Sequence, residues 1–127
     1  MIGQLTGPVQ FINASRVLVP LKAPSAGGSI LALGVVMTSR APALRVSDNL
    51  GEPRWRQANS DGRTALWHRL HSPHAGVLEV VIETPNALEI TGHALLAETA
   101  GLNAGAAVQL LSDLLLESSL GTGRANY

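Results

Sequence analysis

The chain has 127 residues, of which 46% are hydrophobic, 14% charged and 3% aromatic, with zero net charge and no cysteine. That length suits one domain with its own core, and the lack of cysteine excludes disulfides and thiolate metal sites. Nucleic-acid binding is excluded by the lack of a basic patch with interleaved aromatics, and a membrane helix by the lack of an apolar run near 18 residues, the rough minimum for a span.

The opening stretch MIGQLTGPVQFINASRVLVPL lacks the basic and apolar regions of a signal peptide. Its Pro8 and Pro20 suit an edge strand or a reaching arm better than a central strand. Residues 1–27 are therefore expected to form an N-terminal arm with one or two first strands near 8–20, and Val9, Phe11 and Ile12 are its candidate contacts with a neighbouring subunit.

From residue 28 to residue 98 the pattern alternates with period two. In GSILALGVVMT, Leu31, Leu33, Val35 and Met37 share one face, and Ile30, Ala32, Gly34 and Val36 the other. In VLEVVIE, Leu78, Val80 and Ile82 oppose Glu79, Val81 and Glu83, and in ALEITGHALLAE the set Leu88, Ile90, Ala94 and Leu96 opposes Glu89, Thr91 and His93. One buried and one wet face is the signature of an antiparallel sheet. Turn signals (KAPSAGG, SRAP, DNLGEP, ANSDG, HSPHAG, TPN) bound strands near 28–38, 43–48, 53–57, 64–71, 77–83 and 87–98. The expectation is an all-β, antiparallel β-sandwich, jelly-roll or Ig-like, over residues 28–102.

After Gly101 the period changes to three and four. Ala104, Ala107, Val108, Leu111, Leu114 and Leu115 form an apolar stripe, so residues 103–127 predict a C-terminal amphipathic helix and tail in the same single domain. Asn103 stands at its N-cap and Gly121 where a terminating glycine belongs. Leu116 and Leu120 fall inside the polar arc of Gln109, Ser112, Asp113 and Glu117. With Leu111 and Leu115 they are the helix's candidate partner contacts.

Charge is distributed unevenly: residues 1–74 carry eight Arg and Lys against three Asp and Glu, and residues 75–127 one Arg against six acids. Either copies associate head to tail, or strands from both halves interleave and the charges mix. Interleaving is the expected case.

Four places carry residues capable of chemistry. In RVSDNLGEPRW, Asp48, Asn49 and Glu52 have the wrong spacing for a calcium loop, whereas Asp-Asn-x-Gly is what a tight reversal needs, and the segment is expected to join strands ALRVS and PRWRQ. His68, His71 and His74 are spaced three apart, but strand geometry turns positions 68 and 71 to opposite faces, so metal binding is not expected. No G-x-S-x-G elbow or phosphate cradle marks a nucleophile or nucleotide site. No enzyme, catalytic residue or cofactor is therefore expected. Trp55 and Trp67, with Arg54, Arg56 and Arg69 nearby, offer an alternative: a stacking platform for sugar in a carbohydrate-binding or adhesion module. Asp61-Gly62-Arg63 is read as a turn.

The order of segments resembles a small β-sandwich module of tailed-phage virion proteins. Val46, Asp48, Gly51, Trp67, Val80, Ile82, Glu98, Gly101 and Leu102 fall where that module's hallmarks fall, over residues 28–102. Glu52 and Pro53 replace its usual residues after Gly51, and the helical tail stands where another strand belongs. The resemblance implies a non-enzymatic capsid-decoration, cement or tail-associated subunit, assembled in the host cytoplasm and located in the virion. Its implied partners are the major capsid protein or other virion subunits, and its own copies in a homo-oligomer, with a trimer favoured.

Overall fold

A computed structural model of the chain describes residues 2–26, 28–38, 43–50, 55–60, 64–69, 76–100 and 103–124, with the side chains of residues 2, 59–60, 67–69, 104 and 116–124 outside that description. The described residues form eight strands and one helix: β1 (Ile2–Ala14), β2 (Arg16–Pro20), β3 (Ile30–Met37), β4 (Arg45–Asp48), β5 (Arg56–Ser60), β6 (Thr64–Arg69), β7 (Glu79–Glu83), β8 (Ile90–Thr99) and α1 (Ala104–Arg124). Every pairing is antiparallel. A five-stranded sheet runs β1-β8-β3-β6-β5 and a three-stranded sheet β2-β7-β4.

One core lies between the sheets. Phe11, Leu33, Val35, Met37, Ala65, Ile90, Ala94 and Leu96 of the larger sheet meet Val17, Val19, Val80 and Ile82 of the smaller. A second cluster lies on the outer face of the larger sheet, where Ala32, Leu66, Leu95 and Ala97 pack under Leu111 and Leu115 of α1. The order of layers is therefore small sheet, large sheet, helix. It explains why β3 is apolar on both faces: seven of its eight residues are buried.

Local chemistry sets the boundaries. Asn103 caps α1, its Oδ1 accepting the Ala106 amide at 2.8 Å, and Ala and Leu favour the helix beyond it. Gly34 lets α1 lie close, because a β-carbon there would overlap the Leu115 side chain. Gly92 has the same role between strands, where a β-carbon would collide with the Val36 carbonyl oxygen. Pro8 sits where the register of β1 on β8 shifts between Thr6 and Val9, on an edge strand, where a missing amide donor is tolerated.

Several expectations need correcting. Of the two readings of the opening stretch, edge strand or arm, residues 2–14 take the first, as edge strand β1 paired with β8 from Ile2↔Thr99 to Ala14↔Ile90. The chain changes sheet at Ser15, so the segment 8–20 divides between two strands. Strand β5 runs later than expected, taking in Asn59 and Ser60 across a register shift. Leu78 and Leu88, expected on the core-facing side, are 52% and 50% exposed. Their strands begin only at Glu79 and Ile90, and Leu88 closes a 3-10 turn at Pro85–Ala87. Helix α1 continues through Gly121 to Arg124. The acidic strand β7 lies between β2 and β4, with Glu83 opposite both Arg16 and Arg45, so the two halves of the charge distribution interleave.

Candidate functional site

A connected set of hydrogen-bonded polar side chains lies at the end of the molecule where β8 finishes and β3, β7 and β1 start. Glu98 is buried at 7% exposure. A buried carboxylate is stable only when its oxygens are engaged, and here they are. Oε1 accepts Gln4 Nε2 at 2.9 Å, and Oε2 accepts the Ala26 amide and the Ser29 hydroxyl, each at 2.7 Å. The Ser29 hydroxyl also lies 2.9 Å from the Ala26 carbonyl; its single proton favours the shorter contact to the charged oxygen. Gln4 is used completely, since Nε2 also donates to the Ala23 carbonyl and Oε1 accepts the amides of Lys22 and Ala23.

From there the contacts continue across the end of the core. Ser25 donates its amide to the Val77 carbonyl, and its Oγ accepts the Val77 amide. The Gly76 carbonyl accepts Asn49 Nδ2 at 3.0 Å, while Asn49 Oδ1 accepts the Leu78 amide at 2.7 Å. Next to it, Asp48 Oδ1 accepts the Leu50 amide and Oδ2 accepts the Trp55 indole N–H, both at 2.9 Å. The result is a polar strap running from β1 to Trp55 that ties both sheets together. Its groups are occupied with holding loops, so what this arrangement does chemically is fix backbone in place.

The quoted turn therefore has a defined role. Asp48 ends β4 and caps the reversal, but the strands it joins lie in different sheets. Glu52, Arg54 and the Asp61-Gly62-Arg63 turn lie outside the described residues. Trp55 is half-buried, packs against the core between the sheets, and has its indole nitrogen engaged by Asp48. Trp67 belongs to β6, opposite Leu33 and Gln57, with its side chain outside the described set, as are those of His68 and Arg69. Arg56 is exposed on β5, and His71 and His74 lie outside the described residues. Among the described residues, no three His, Cys, Asp or Glu side chains are grouped to hold a metal.

The expected partner contacts are redistributed. Phe11 is buried in the core and Val9 packs against it, leaving Ile12, at 75% exposure, as the exposed member of that set. Leu111 and Leu115 are buried against their own sheet, because α1 covers β3, β6 and β8. The side chains of Leu116 and Leu120 lie outside the described residues. Among the described residues, two buried polar atoms have no hydrogen-bond partner: Thr6 Oγ1 and His93 Nε2. Burial holds the His93 imidazole below its ordinary pKa. Neither the Gln4–Glu98 contact nor the role of Asn49 was expected. The one visible sign was a lone acid closing the apolar run ALLAE.

Comparison with protein-family models, with curated proteins and with solved structures returns no match. No helix among the described residues is long and apolar enough to cross a membrane.

Proposed function

We propose that the chain is a non-enzymatic structural subunit of a tailed-phage particle, a capsid decoration or cement protein that binds the capsid lattice and its own copies. The observation that carries this reading is the nested pairing of the strands, β1 with β8, β2 with β7 and β3 with β6. Such nesting supports a jelly roll over an Ig-like sandwich, and the jelly roll is a scaffold of viral shells as well as of lectins and cupins. Strand β5 departs from that pattern by pairing with β6 rather than joining β4. Fold alone does not fix function, so the side chains have to weigh in.

They favour assembly over chemistry. Among the residues shared with the virion module, Val80 and Ile82 are core, Val46 packs on the core, and Asp48 and Glu98 anchor the polar strap. What these residues have in common is an architectural role in this chain. A low charged fraction and exposed aliphatic side chains at Ile12, Leu18, Leu50, Leu78 and Leu88 suit a surface meant to be covered. Many weak contacts repeated over a lattice hold a subunit firmly. The sugar-platform alternative is weakened by Trp55, whose ring is turned to the core.

The test is composition. Particles purified on a density gradient from the cells that make this protein are expected to contain it in many copies by quantitative mass spectrometry. Its absence from washed particles contradicts the reading.

A further inference from the structure

Among the described residues nothing packs on the outer face of the three-stranded sheet, while the outer face of the five-stranded sheet is covered by α1 over β3, β6 and β8. Three rows cross it. Arg16, Glu83 and Arg45 form one row, Leu18, Val81 and Ser47 the second, and Pro20 with Glu79 the third. Arg16, Pro20, Glu79, Glu83 and Arg45 are exposed, and Leu18 at the centre is 46% exposed. Val81 is buried yet belongs to neither core cluster.

We propose that this face is a two-fold contact with a second copy of the chain. The proposal rests on the assembly reading above and names one of its partners. The argument is charge complementarity. A two-fold axis lying between the copies, perpendicular to the strands and through the middle row, sets Leu18 and Val81 on their own counterparts. It also brings the Arg16–Glu83–Arg45 row of each copy over the Pro20–Glu79 row of the other. Each end of the interface then holds two arginines and two glutamates and is neutral. An axis parallel to the strands would instead gather four arginines and two glutamates at one end and leave two glutamates at the other. The balance of charge at each end therefore favours the first geometry, in which Glu83 of each copy faces Glu79 of the other with Arg16 and Arg45 on either side. Sheets packed this way keep their strands within about 30°.

The face is small. Three strands about 4.8 Å apart and five residues at about 3.4 Å each outline roughly 240 Å² in plan, well under the roughly 800 Å² per partner of a standard interface. The contact is therefore weak in dilute solution and significant where copies are held close, as on a lattice.

Sedimentation velocity of the full chain from about 10 µM to about 1 mM is expected to show reversible dimer formation that weakens with added salt. Leu18→Glu is expected to weaken the dimer by at least about tenfold, and Glu79→Arg to weaken it as well, since each end then carries excess positive charge. Adding Arg45→Glu to Glu79→Arg returns each end to neutrality and restores association, with circular dichroism melts verifying that all variants fold. Variants that dimerise like the native chain overturn this face while leaving the assembly reading intact. A chain that stays monomeric throughout, yet loses particle attachment with Leu18→Glu, assigns the face to another virion subunit and overturns the second-copy proposal.

Discussion

The two sheets are built from the same alternation and end in different situations. In the larger sheet, β3 has Leu33, Val35 and Met37 in the inter-sheet core and Ala32 and Val36 under α1, so both of its faces are used up in folding. In the smaller sheet, β2 reads exposed, buried, exposed, buried, exposed. Its inward residues, Val17 and Val19, stabilise the fold, and its outward ones, Arg16, Leu18 and Pro20, are exposed. The difference teaches where to look for function. The sheet under the helix is a foundation, and the one-sided sheet presents the surface that remains available to a partner.

Substitutions sharpen the contrast. The largest effect is expected from Gly92→Ala, because the new β-carbon meets the backbone of Val36 and Met37, which cannot move without parting β3 from β8. A loss of about 3 kcal/mol or more should appear as a lowered denaturation midpoint, or as failure to fold. Next comes Gly34→Val, which drives into Leu115 and Leu66. About 2 kcal/mol of destabilisation is expected, together with lost amide-exchange protection in α1, and Leu115→Ala in the same chain should recover part of it.

A smaller effect belongs to pH. His93 lies on the helix-covered face of the larger sheet, and burial lowers its pKa, so the folded state prefers the neutral ring. Its contribution is complete above the ordinary value of about 6.5. As pH falls through that value the unfolded chain takes up a proton that the folded chain resists, and stability declines until the folded pKa is passed. Thermal melts between pH 7 and pH 5 should show this decline, and His93→Gln should remove that part of it. The smallest effect is expected from Leu18→Ser on the bare face: under about 0.5 kcal/mol in the same melts. A large loss there would mean the smaller sheet is not one-sided after all.

Much of this architecture was legible in the chain. The period-two runs anticipated an antiparallel sheet, Asn103 signalled the start of the helix, and Asp-Asn-x-Gly signalled a reversal, but ILALGVVM, expected to have one wet face, is buried on both sides. What escaped notice depended on partners distant in sequence. Nothing local in residues 2–14 says that they will pair with β8, about ninety positions away, so Phe11 read as a contact for a neighbour rather than as core. Leu111 and Leu115 misled for the same reason: an apolar helical stripe shows that something will cover it, not what. Glu98, Gln4 and Asn49 gave little warning, because loop-holding side chains belong to no motif and are recognised only once the loops are in place.

Everything proposed for the smaller sheet rests on its outer face being covered by a second copy of this chain. Sedimentation equilibrium on the full 13.2 kDa chain, at rising concentration and low salt, measures that directly. A weight-average mass climbing above the protomer is the predicted result, and a single protomer mass at every concentration would contradict it.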